Sequence, residues 1–147
     1  MTIRYIYPRC VLQGERFDPQ PLLNLDSFKV VNYHCIGDWT RVGRLRGKPE
    51  TTGYIRLGAK GVDFDKFIDP VLAKEILEQF VDNLLSIKDL IINSNACLKV
   101  LYLFLGYENQ GYWEFSPQLL RKIRELNLTL APSFSEVDDT FFGSPAK

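Results

Sequence analysis

Reactive side chains are few in this sequence, and their spacing assembles no recognisable reactive site. It holds one histidine, His34, and three cysteines, Cys10, Cys35 and Cys97. A lone imidazole cannot build a two-histidine metal site or a histidine-based triad without partners from elsewhere. Cys35 follows His34 directly, but neighbouring strand residues point to opposite faces, so the two cannot pair as a Cys-His dyad. His34 is therefore read as a packed or half-exposed strand residue. Asp63, Asp65 and Asp69 alternate ahead of a helical segment, a pattern that can hold a hard cation. The central glycine and terminal glutamate of an EF-hand loop are absent. Because helix N-termini favour negative charge, these acids are read first as cap and dipole partners. Gly43, Gly47, Gly53, Gly58 and Gly61 fit neither the Walker nor the dinucleotide fingerprint, and no helix N-terminus follows them, so they are read as turn residues. The expectation is a protein without catalytic residues, metal or cofactor, and not an enzyme.

One segment is composed for display. Between two strand-like runs lies Gly37 to Gly53, in which Trp39, Arg41, Arg44, Arg46 and Lys48 face only Asp38 and Glu50. Indole and guanidinium groups are the types enriched at interface hot spots, so these five residues are the expected partner-binding site. An ordinary solvated hairpin is the equal alternative. Asp63, Asp65 and Asp69 form an alternative, acidic face. Nucleic acid is the least favoured partner, since the segment lacks an interleaved stacking platform and the 18 basic and 18 acidic residues cancel.

The elements that must position these residues follow from composition and period. The 147 residues suffice for one domain with its own core, and 46% hydrophobic with 24% charged residues is a globular balance. An odd number of widely spaced cysteines in apolar runs suits buried thiols in a reducing compartment. With no basic-then-apolar leader at the N-terminus and no apolar run of membrane-spanning length, the cytoplasm is the expected location and no membrane is engaged.

Residues 3–12 read as a first strand, edge or bulged because of Pro8. Asp18-Pro19 opens a short helix over Leu22, Leu23 and Leu25. Residues 28–36 and 53–57 read as a long hairpin that carries the basic segment. A helix begins at Asp69-Pro70 with a stripe of Leu72, Ile76, Phe80, Leu84 and Ile87, and ends at Asn93-Ser94-Asn95. Residues 97–107 are a buried strand and Tyr112 to Phe115 a returning one. Ser116-Pro117 caps a third helix, and residues 128–131 are a last short strand. The order β-α-β-β-α-β-β-α-β predicts an α+β fold, a largely antiparallel sheet against about three helices. Residues 1–132 form the domain. Residues 133–147 read as a C-terminal tail, either flexible or anchored on the body by Phe134, Phe141 and Phe142.

Phe17-Asp18-Pro19, the Trp39 to Arg46-Gly47 stretch, Gly53-Tyr54-Ile55-Arg56-Leu57, the helix from Asp69, and Glu114-Phe115-Ser116 before Leu119-Leu120 together resemble a family of small bacterial α+β proteins of unassigned function. Some of its members are found beside polymorphic toxins and are suspected immunity proteins. Cys35-Ile36-Gly37 stands here where that pattern has a proline. The resemblance implies the fold and a non-enzymatic role, and no site residue. The expected function is thus a protein-binding module, in its specific form an immunity protein that covers a cognate toxin. A small-ligand binder or enzyme whose pocket is lined by the hairpin arginines with Tyr54, Tyr112 and Trp113 is the alternative. Self-association through strand edges is a third reading. A basic toxin would call for an acidic partner surface, which Asp63, Asp65 and Asp69 or Glu136, Asp138 and Asp139 could supply.

Overall fold

A computed structural model describes residues 2–41, 43–44, 46–61, 69–108 and 113–137. Five strands form one mixed sheet: β1 (Thr2–Gly14), β2 (Phe28–His34), β3 (Gly53–Ala59), β4 (Leu98–Glu108) and β5 (Thr129–Glu136). Their spatial order is β2-β3-β1-β4-β5. All neighbours are antiparallel except β4 and β5. The three helices are α1 (Pro70–Ser86), α2 (Lys88–Ile92) and α3 (Pro117–Glu125). The fold is α+β, and no helix among the described residues is long and apolar enough to cross a membrane.

The helices start where local chemistry says they must. Asp69 accepts from the Val71 N–H at 2.8 Å and Ser116 accepts from the Leu119 N–H at 3.1 Å, each just ahead of a proline. These side chains satisfy amides that the first turn leaves unpaired, and the proline there lacks the N–H that would have needed a partner. The Asp18-Pro19 segment makes only one 3-10 turn, Gln20–Leu22, with the Gln20 N–H bonded to Asp18.

α1 buries Ala73, Leu77, Phe80, Val81 and Leu84, leaving Leu72 about half exposed. Phe80 and Leu84 of the stripe read in the sequence are buried, and Ile76 and Ile87 pack partly buried against the core, but toward the helix start the buried face is set one residue along, at Ala73 and Leu77 rather than Leu72 and Ile76. A spacing of four repeated without a three drifts around the helix, whereas 73, 77, 80 and 84 alternate four with three and stay on one side. The helix also stops at Ser86, where Ile87 leaves helical geometry, and α2 begins afresh. Lys122 on α3 donates to Asp82 on α1 at 2.6 Å, and this bond raises the Lys122 ammonium above its ordinary value.

The core lies between these helices and one face of the sheet. Ile6, Cys10 and Leu12 of β1, Ile55 and Leu57 of β3, and Leu101, Leu103 and Leu105 of β4 meet Leu77, Phe80, Leu119 and Ile123. Cys10 sits fully buried there, and burial pushes its thiol from 9.0 to about 12.

Three expectations are corrected. β1 is the central strand rather than an edge, and of the two readings the bulged one holds, with its register against β4 shifting between Ile3 and Tyr5. Pro8 is tolerated because β3 pairs with β1 only from Arg9 onward, so the first half of β1 has β4 alone as a described partner. Trp113, Glu114 and Phe115 form no strand; they run irregularly into the Ser116 cap, and Tyr112 lies outside the described residues. The last strand is longer than 128–131 and continues to Glu136, after which buried Val137 donates to the Tyr107 carbonyl at 2.8 Å. Residues 138–147, with Phe141 and Phe142, lie outside the described residues.

Candidate functional site

The basic segment is an arm that extends the β2-β3 hairpin. Gly37, at φ 91°, turns the chain out of β2 in a conformation other residues rarely take, and its N–H bonds the Glu50 carbonyl at 2.8 Å. Further bonds run from Glu50 N to Asp38 O, from Thr40 N to Lys48 O and from Gly47 N to Thr40 O, while Trp39 bridges Pro49. Asp38 is consumed internally, its carboxylate accepting from the Cys35 N–H at 2.7 Å. Glu50 turns back toward the sheet, with a carboxylate oxygen 3.6 Å from His34 Nε2. Neither acid therefore neutralises the arm's cations.

Arg41, Arg44, Arg46 and Lys48 are all exposed, and none makes an ion pair among the described residues. Trp39 is 69% exposed, and Ile36 and Tyr33 behind it are about half exposed. β2 is also an outer strand of the sheet. The five residues expected to meet a partner thus share one projection, with an exposed indole and four cations that make no ion pair among the described residues. Of the acidic alternative, Asp69 is spent on capping α1, and Asp63 and Asp65 lie outside the described residues.

The structure does not bring Tyr54 and Trp113 together. Tyr54 stacks on His34, ring centroids 5.3 Å apart, on the face of the sheet away from the helices. Trp113 packs on the core side, with Lys74 of α1 5.8 Å from its ring, and lines a cavity of about 500 Å³ with Leu77 and Leu119.

A second surface escaped the sequence reading. No described helix packs on the far face of the sheet, and its side chains alternate with the core positions. Strand register sets out rows across it: Asn32, Arg56, Val11 and Val100; then Lys29, Gly58, Arg9 and Tyr102; then Tyr7 and Phe104. Tyr5 stacks on Tyr7 at 5.2 Å and Tyr102 on Phe104 at 5.9 Å. Arg9 lies over the Tyr7 ring at 4.9 Å and donates to the Pro8 carbonyl at 3.0 Å. Two glycines make room for these groups. A Cβ on Gly58 would sit 2.7 Å from Arg9 Nη1, and one on Gly106 would sit 2.2 Å from the Tyr5 ring.

Between Tyr7, Arg9, Lys29, Val31, Arg56 and Phe104 is an open cavity of about 390 Å³. Burial, and then the neighbouring Arg56, hold the Arg9 guanidinium below its ordinary value. The signal for this surface is present in the sequence as period-two runs, Tyr5-Tyr7-Arg9 and Tyr102-Phe104. What alternation cannot tell is that β1 and β4 are neighbours at the middle of the sheet.

Comparison with protein-family models, with curated proteins and with solved structures found no match. Among the described residues, no three His, Cys, Asp or Glu side chains group together as metal ligands.

Proposed function

We propose that this protein is a non-catalytic binding module that docks a protein partner on the basic arm. One observation carries the reading: Trp39 is 69% exposed on an arm held by its own backbone hydrogen bonds. Exposing an indole costs free energy that folding would ordinarily recover, and an ordered display lowers the entropy lost on docking. The surrounding Arg41, Arg44, Arg46 and Lys48 select an acidic partner surface and speed encounter with it. In the specific form suggested by the family resemblance, the partner is a bacterial toxin domain and docking neutralises it in the cytoplasm.

The test is co-purification of the tagged chain from its host, with the same capture by Trp39→Ala and by the double variant R44E/R46E. The reading expects one partner at equal stoichiometry, lost from both variants while each keeps the parental melting temperature. Undiminished capture by both variants places the contact elsewhere. For the immunity form, co-expression with the captured protein must protect cells from it, and Trp39→Ala must not.

A further inference from the structure

We propose that the face of the sheet opposite the helices carries a small-ligand site at Arg9, Lys29 and Arg56, for a molecule that joins a compact oxyanion to a planar ring, as a nucleoside monophosphate does. This site is separate from the arm.

Three strands each contribute one cation to a single cavity, and none of the three makes an ion pair among the described residues. No carboxylate of the described residues lines the cavity. Arg56 Nε is buried without a hydrogen-bond partner. Such a donor carries a desolvation cost that an acceptor entering the cavity would remove. Two guanidinium groups close enough to perturb one another are likewise costly in an empty site and favourable around an anion.

The site is built rather than incidental. Arg9 is fixed by the Tyr7 ring, the Pro8 carbonyl and the space left by Gly58, so little of its rotamer freedom remains to be lost on binding. The forked guanidinium presents paired N–H donors to the oxygens of a phosphate or carboxylate. Tyr7 is already taken up by Tyr5 and Arg9, but Phe104 and Val31 add a ring and apolar surface to the same cavity, and base-on-aromatic stacking is the contact such a ring makes with a planar heterocycle. A volume of about 390 Å³ lies in the range of small-molecule pockets and suits one nucleotide better than a strand.

Calorimetric titration of the full chain with AMP, adenosine and inorganic phosphate tests this. AMP must bind more tightly than either fragment, because each half of the site contributes. Arg56→Gln and Arg9→Gln must each weaken AMP binding by about ten- to a hundredfold, the worth of a charge-assisted hydrogen bond. Trp39→Ala must leave AMP binding unchanged even where it abolishes partner capture, so the two readings stand or fall separately. If either arginine variant fails to fold, Lys29→Gln at the exposed rim supplies the same comparison. The proposal is overturned if no nucleoside monophosphate binds at millimolar concentration or if the variants bind as the parent does. It is also overturned if an oligonucleotide binds more than a hundredfold tighter than AMP, which would make the surface a strand-binding one.

Discussion

At the scale of single residues, Trp39 and Cys10 are opposite cases of one rule. An indole 69% exposed contributes little to holding the fold, so Trp39→Ala should leave the melting temperature unchanged and cost roughly 2 kcal/mol or more of partner affinity. Cys10 is the reverse, a thiol sealed in the core. With its folded value pushed up to about 12, the native state keeps its proton where the unfolded chain loses it, from 9.0 upward. Its contribution to stability is therefore complete below pH 9 and declines toward pH 12, by about 1.4 kcal/mol per pH unit in that window. Urea unfolding at pH 8, 9.5 and 10.5 should show this decline, and Cys10→Ala should flatten it. Thiol labelling of the native protein should modify exposed Cys97 and spare Cys10. Apolar neighbours make all three cysteines read as buried in the sequence, which holds for Cys10 but not for half-buried Cys35 or exposed Cys97, each of which lies just outside a strand end. Arg9 was not legible there, because its meaning depends on Arg56 and Lys29, which arrive from other strands.

At the scale of elements, what was legible was what is local. Asp69-Pro70 and Ser116-Pro117 mark helix starts by chemistry within three residues, and both caps form as expected. Ser116→Ala should cost about 1 kcal/mol of stability in denaturant unfolding, since its hydroxyl alone caps the Leu119 amide. The long hairpin was legible too, from two strand runs flanking a glycine-rich insert. Pairing between distant strands was not. Pro8 reads as an edge signal in isolation, yet β1 is central where β3 reaches it and lacks β3 as a neighbour at Pro8. On α1, the buried set that includes Leu77 makes Leu77→Ala a cavity-forming change of about 2–5 kcal/mol, while Leu72→Ala, on the exposed side, should fall well below that. Had the face followed the stripe read from the sequence, the two costs would be reversed.

At the scale of the whole molecule, zero net charge conceals a segregated surface. The sum of 18 cations and 18 acids excludes a strong global field, but it says nothing of where the charges lie. The fold gathers cations that make no ion pair among the described residues at two places, the arm beyond β2 and β3 and the face of the sheet away from the helices. Both kinds of binding should therefore weaken as ionic strength rises, even though the protein as a whole is neutral. The central claim is that the arm is the docking surface. The most direct measurement is the affinity of the co-purified partner for the parent chain and for R44E/R46E at matched melting temperature. A loss of about tenfold or more, diminishing as salt is added, is the predicted result; equal affinities at low salt would contradict it.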